Sequence, residues 1–201
     1  MTDEKIKAAK AHWSGRMVSN GMPLADFQDV TTQTQSWDDW CIALSNRGDI
    51  HAGLGSESEE RGFLLSAGEH YVTAAICYHF GKFLFVNNPI QMKSTHKKAV
   101  DIYTKALPYL NPPGERVSIP YNGSTLYGNL RAPNGIKTPP VVILIMGLDS
   151  AKEEMFYNEQ LFLDRGMATL TFDGPGQGEA EYDLSICPEY EKPVLAVIEF
   201  I

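Results

Sequence analysis

The sequence has little cysteine, no excess of positive charge and no long apolar run. Its three cysteines, Cys41, Cys77 and Cys187, are odd in number and widely spaced, with no pair at metal-ligand or redox-motif spacing. That excludes a disulfide framework and predicts buried free thiols in a reducing compartment. A net charge of -8 removes nucleic acid and anionic membrane as main partners, because both need a basic face. No run approaches the roughly 20 apolar residues that span a bilayer. The opening segment, MTDEKIKAAKAHWSG, is charged and helix-like and lacks the apolar centre of a signal peptide. A cytoplasmic protein is the expectation.

Two catalytic patterns are missing as well. A serine nucleophile on a strained strand-helix turn is written G-x-S-x-G, and that pattern occurs nowhere. No H-E-x-x-H occurs either, so zinc hydrolysis has no support. The five histidines, His12, His51, His70, His79 and His96, all lie in the first half of the chain. Each reads more simply as a packed or surface helix residue than as a base.

What is present is an ordinary globular composition over 201 residues, 43% hydrophobic and 21% charged, enough for one large domain or two small ones. Up to about Leu110 the patterning is helical. Ser36 can cap a helix opening on Trp37-Asp38-Asp39-Trp40, with acids where the helix dipole favours them. Ser66-Ala-Gly-Glu69 has capping-box spacing and predicts a helix over roughly Glu69 to Val86. Asn88-Pro89 reads as an N-cap followed by proline at the first helical position. Asn111-Pro112-Pro113-Gly114 is a breaker cluster, placing a helical domain at residues 1–113 and a second domain at 114–201.

In the second domain the period becomes alternating. Arg116–Pro120 and Thr125–Arg131 flank Asn122-Gly123, the strongest short-range hairpin signal. Val141–Met146 is apolar throughout, which predicts a strand buried on both faces and covered by helices front and back. A helix-like segment, Lys152 to Asp164, leads to a second apolar strand at Met167–Phe172, and a last helix is expected near Glu189–Ile201. Right-handed crossover rules send that helix to a further parallel strand. The expectation is a fragment of a longer protein, or a sheet completed by a partner chain, with Met167–Phe172 left as an unprotected edge and the isolated chain prone to aggregate.

Polar loops follow both apolar strands, where open α/β sheets place their chemistry. Gly147 lets the backbone turn so that the Leu148 amide can face a pocket and stabilise an oxyanion. The same spacing fits a plain β-α turn, and both readings stand. Asp173-Gly-Pro-Gly-Gln-Gly-Glu179 suggests a dinucleotide loop, but its glycines alternate and the G-x-G-x-x-G pattern is absent. A tight loop walling a pocket is the better reading. On the Glu69–Val86 helix, Tyr78, His79 and Lys82 form a polar trio in an aromatic stripe that could line a substrate pocket. Plain helix packing, with the Tyr78 and Lys82 tips reaching solvent, is the simpler reading of the trio. Glu57, Glu59, Glu60, Lys93, Lys97 and Lys98 read as solvated faces.

The segments GEHYVTAAICYHFGKFLFV, PPGERVSIPY, LYGNLRAP, MGLDSAKEE and FLDRGMATLTFDGPGQGEAEYDL together resemble one α/β-hydrolase group, the one containing 2,6-dihydroxypseudooxynicotine hydrolase and related esterase-like proteins. The resemblance runs from about Trp37 to Ile201. It implies an α/β fold: an N-terminal helical cap or dimerisation domain, then the first half of a hydrolase sheet, an antiparallel hairpin followed by parallel strands. It also implies a Ser-Asp-His triad cleaving carbon–carbon bonds beside carbonyls, or esters, with no metal or organic cofactor. Leu148 falls at the first oxyanion amide, and the serine, acid and histidine are expected beyond Ile201. A small-molecule substrate and a homodimer follow from the same resemblance. Two other functions compete: a non-catalytic binding or assembly module, and a polyketide-shortening hydrolase.

Overall fold

The chain divides inside the proline-rich breaker cluster. In the computed structural model, which describes residues 3–201, one compact unit ends at Asn111 and the next begins at Pro112. Met1 and Thr2, which open the segment read as unlike a signal peptide, lie outside the described residues.

The first unit is helical: α1 (Glu4–His12), α2 (Ser14–Ser19), α3 (Leu24–Gln33), α4 (Trp40–Glu60), α5 (Leu64–Lys82) and α6 (Pro89–Ala106). Ser36 caps as expected, its hydroxyl accepting from the Asp38 amide over a short 3-10 turn that precedes α4. Asn88 caps α6 through the Gln91 amide at 3.1 Å, with Pro89 in the first turn. The capping box at Ser66 does not form, because α5 already starts at Leu64. Gly62, at φ +79, closes α4 with bonds from the Gly62 and Phe63 amides back to Glu59 and Ser58, a Schellman arrangement. The next helix follows at once and leaves Ser66 inside its first turn. At the other end α5 stops at Lys82, short of Val86, and Leu84 takes a left-handed φ of 53.

Aromatic burial holds α1 to α5. Trp37 stacks on Trp40 at 5.2 Å, Trp13 meets Phe83 edge-on at 5.1 Å, and the Trp40 indole donates to the Phe80 carbonyl. Such pairs add to the area they bury.

The contact of α4, α5 and α6 is built from one device used twice. Gly48 and Gly55 lie seven residues apart on α4, as do Tyr71 and Tyr78 on α5 and Lys98 and Lys105 on α6. Two helical turns therefore return each residue type to the same face. A Cβ at Gly48 would sit 2.5 Å from the Tyr78 ring, and one at Gly55 2.4 Å from the Tyr71 ring. Each phenol then donates to a carboxylate that a lysine also grips. Tyr78 reaches Asp49 at 2.7 Å, beside Lys98 at 2.9 Å. Tyr71 reaches Glu59 at 2.6 Å, beside Lys105 at 2.6 Å. Tyr109 adds a third bond to Glu59. Glu59 and Lys98 are thus ties between helices rather than the plain solvated faces expected of them.

The second unit is a four-stranded sheet in the order β1-β2-β4-β3, made of β1 (Gly114–Tyr121), β2 (Ser124–Arg131), β3 (Val141–Ile145) and β4 (Ala168–Phe172), with α7 (Phe156–Leu163) and α8 (Glu191–Phe200). Asn122 and Gly123 take φ values of 47 and 73, the type I′ geometry that suits a two-residue hairpin. β2 pairs antiparallel with β4, and β3 pairs parallel with β4.

This order corrects two expectations. β4 is the interior strand, buried at every position, whereas β3 is an edge strand among the described residues, with Val141 39% and Ile145 51% exposed. The hairpin causes the exchange: β2 takes the flank of β4 that an all-parallel sheet would give to another crossover strand.

The two sheet faces differ in kind. Val117, Ile119, Leu126, Leu170 and Phe172 make one face apolar, joined by Val197 of α8. The register puts Arg116, Asn129 and Thr171 in one row on the opposite face, with Arg131 and Thr169 in a parallel row. Apart from half-buried Arg116, this polar layer is buried. Fully enclosed Arg131 pairs with Glu159 of α7 at 3.3 Å and donates to the Pro112 carbonyl, and its guanidinium lies 5.0 Å from the Phe156 ring centre.

Candidate active site

At the C-terminal edge of the parallel pair, the segment Met146–Ala151 leaves β3 and the segment Asp173–Glu179 leaves β4. A short 3-10 turn, Lys152–Met155, leads from the first into α7. Side chains lock the two segments together. Gln177 donates from Nε2 to the Met146 carbonyl at 2.7 Å and accepts from the Gly174 amide at 3.1 Å; its Oε1 also takes the Tyr190 hydroxyl. Asp173 accepts from the Lys152 amide at 2.8 Å, from Lys152 Nζ at 2.8 Å and from the Glu179 amide at 3.0 Å.

This explains the look of the glycine-rich loop. The loop closes on an anion of its own, the Asp173 carboxylate, which takes the Glu179 amide from the loop and the Lys152 amide from the neighbouring segment. Gly178 is required there: at φ +44, a Cβ would fall 2.1 Å from the Asp173 carboxyl carbon.

Lys152 is the centre of the cluster. Its ammonium lies 2.7 Å from Glu153, 2.8 Å from Asp173 and 2.5 Å from Glu179. Arg116 clasps Glu179 with two bonds, at 2.6 and 2.9 Å. The three carboxylates bring oxygens within 4.8 Å of one another, a spacing that suits a cation, and the Lys152 ammonium supplies one. Burial pushes the Asp173 carboxyl up, but Lys152 and the two amide donors outweigh it and hold it low. For Glu153 burial prevails and its carboxyl is pushed up. Its Oε2 is enclosed with no hydrogen-bond partner among the described residues.

Between the anchors, the Ser150 amide donates to the Gly147 carbonyl at 3.1 Å and its hydroxyl to Glu154 at 2.6 Å. Leu148 sits on the outside of this turn, 58% exposed, and its amide meets no acceptor among the described residues. A fixed loop carrying an uncommitted amide at a parallel strand end is what oxyanion binding needs.

The other candidates fall on α5, inside the helical unit. Tyr78 is 3%, His79 0% and Lys82 6% exposed, so all three side chains are buried. Tyr78 is committed to Asp49. His79 faces Phe80 and Phe83 at ring distances of 5.0 and 6.2 Å. Cys41 and Cys77 are buried free thiols as expected, but Cys187 is only half-buried. Among the described residues, no helix is long and apolar enough to cross a membrane. Sequence reasoning missed Lys152, Asp173, Gln177, Glu179 and Arg116; the available signal was acids and a lysine in the loops after two adjacent strands.

An antiparallel hairpin feeding parallel strands, with the chemistry-bearing loops at their C-terminal ends, is the α/β-hydrolase architecture. The chain belongs to the FrsA-like esterase family, whose model matches residues 28–185. It is 37% identical over 189 residues to the 2,6-dihydropseudooxynicotine hydrolase of Paenarthrobacter nicotinovorans, covering 93% of this chain and 50% of that protein. It is 30% identical over 176 residues to the hydrolyase poxO of Penicillium oxalicum, covering 81% of this chain and 41% of that one. The crystal structure of the 2,6-dihydroxy-pseudo-oxynicotine hydrolase superimposes with a TM-score of 0.82 at 35% identity, over 94% of this chain and 53% of that chain. Wild-type AbyA5, at 19% identity and a TM-score of 0.65, shares the fold. The chain spans about half the length of the curated relatives it matches.

Proposed function

We propose that this chain is part of a serine-dependent α/β-hydrolase that cleaves a small organic substrate at a carbonyl, at the neighbouring carbon–carbon bond or at an ester. The observation that carries the reading is the Leu148 amide, uncommitted and held on a loop anchored at both ends. In this reading serine attacks the carbonyl, the Leu148 amide and a second donor hold the oxyanion, and an acid–histidine pair moves the proton. The open edge of β3 is the place for a further parallel strand bearing the nucleophile, because a right-handed crossover from β4 through α8 leads there. Membership of an esterase family and the name of the Paenarthrobacter relative, a hydrolase, support the same reaction class.

The helical unit is assigned to substrate selection and to a homodimer contact. Tyr78 is held by Asp49, and Tyr78, His79 and Lys82 are all buried within the helical unit, which supports packing over direct substrate contact for this trio. Exposed Leu54, Phe63, Leu64 and Leu65 around the α4–α5 turn support an apolar dimer contact, which sedimentation of the full-length protein tests. No organic cofactor enters the scheme, and a reducing, cytoplasmic setting suits three free thiols.

A serine-reactive phosphonate applied to the folded, full-length gene product is expected to label one serine in a G-x-S-x-G sequence. Absence of labelling would reject hydrolysis in favour of a non-catalytic binding module. Product analysis on diketones and aryl esters then separates carbon–carbon from ester cleavage.

A further inference from the structure

We infer that Gln177 and Lys152 are positioning residues for the Leu148 amide, an inference that rests on the hydrolase reading above. Neither needs to touch substrate. A turn that carries an oxyanion donor is useful only if the donor stays put when charge develops, since misplacement by about 1 Å can cost on the order of 10²-fold in rate. Residues 147–151 have no strand partner and one internal backbone bond, from Ser150 to Gly147. The Ser150 hydroxyl adds a bond to Glu154, and the Gly147–Leu148 part of the span is supported from its flanks.

Both ends are held by the loop after β4. On the β3 side, Gln177 Nε2 grips the Met146 carbonyl at 2.7 Å, immediately before Gly147. On the α7 side, Lys152 is bound twice to Asp173, by its amide and by its ammonium, each at 2.8 Å. Asp173 and Gln177 belong to one tight turn closed by the Gln177-to-Gly174 backbone bond. The Leu148 segment is therefore a short span between two supports on one rigid piece. Gln177 is 4% and Lys152 0% exposed, so water does not compete for either support.

The test compares wild-type full-length protein with Gln177→Leu and Lys152→Met. Lys152→Met risks failing to fold. Gln177→Leu is close in volume, removes no charge, and keeps the proposal testable alone. The expected result for Gln177→Leu is a fall in kcat of about tenfold to a hundredfold, with KM within about twofold. Amide hydrogen exchange across residues 147–151 should quicken, while exchange across β4 stays at the wild-type rate. An active, phosphonate-labelled wild type whose Gln177→Leu variant keeps its kcat would overturn the positioning role alone. Equal quickening across β4 would overturn it too, as a general loosening. A wild type that neither turns over nor is labelled would overturn the hydrolase reading itself, and the exchange data would still report whether Gln177 anchors the loop.

Discussion

The helical and sheet units both fasten their elements with ion pairs, yet in different surroundings. Between α4 and α6 the charges stand at the surface, Lys98 and Asp49 keeping 46% and 50% of their side-chain exposure, while Asp26 of α3 holds Arg47 and His51 of α4 in part-buried surroundings. In the sheet unit Arg131, Glu159, Lys152 and Asp173 keep none. Surface pairs contribute little, about 0–1 kcal/mol. The helices are therefore held by packing, the tyrosine rings seated on Gly48 and Gly55 and the tryptophan cluster, with the ion pairs as trim. Buried pairs carry a large desolvation cost and are a poor way to gain stability. What they give in return is position. In the sheet unit the Lys152–Asp173 pair fixes the α7 end of the Leu148 loop, and the Arg131–Glu159 pair fixes α7 itself.

That contrast is broken or sharpened by substitution. Lys152→Met should have the largest effect, because it leaves Asp173 and Glu179 enclosed without their ammonium; a loss of about 3–5 kcal/mol is expected, read by urea unfolding. Arg131→Met should lose about 3 kcal/mol by stranding Glu159, and the double change Arg131→Met with Glu159→Leu should recover most of it. A double variant no better than the single one would refute the view that the pair is retained for position rather than stability. Gly48→Ala forces a methyl to within 2.5 Å of the Tyr78 ring, an overpacking expected to cost about 1–3 kcal/mol.

The smallest effect is one of pH. The hydrogen bond from Lys105, then those from Tyr71 and Tyr109, lower the Glu59 carboxyl from its ordinary 4.5 to about 2. Its contribution is complete above the ordinary value and is lost as pH falls from about 4.5 through about 2. Wild type should therefore lose stability across that window, and Glu59→Gln should show a shallower slope in thermal melts at matched pH values.

Local signals were legible in the sequence wherever the chemistry is local. Asn122-Gly123 named its hairpin, Asn88-Pro89 its helix start, and the strand-loop-helix-strand order its fold class. Ser66 misled because a capping box can be outrun by a helix that begins directly after the preceding one closes. β3 misled because an apolar run reports burial in general, and an edge strand of short length reads like a central one. The Lys152 cluster was invisible because its pairs join residues 21 and 27 positions apart, and residue spacing alone cannot say which loops converge. Once β3 and β4 are known to be neighbours, the same acids become readable, and the glycine loop that imitated a phosphate site is seen to wrap Asp173.

The most direct measurement is a crystal structure of the full-length protein with a phosphonate bound to its nucleophile. The account predicts the phosphonyl oxygen at about 2.7–3.1 Å from the Leu148 amide nitrogen, with Gln177 still on the Met146 carbonyl. A phosphonyl oxygen held by other donors, with the Leu148 amide turned away from it, would contradict the account.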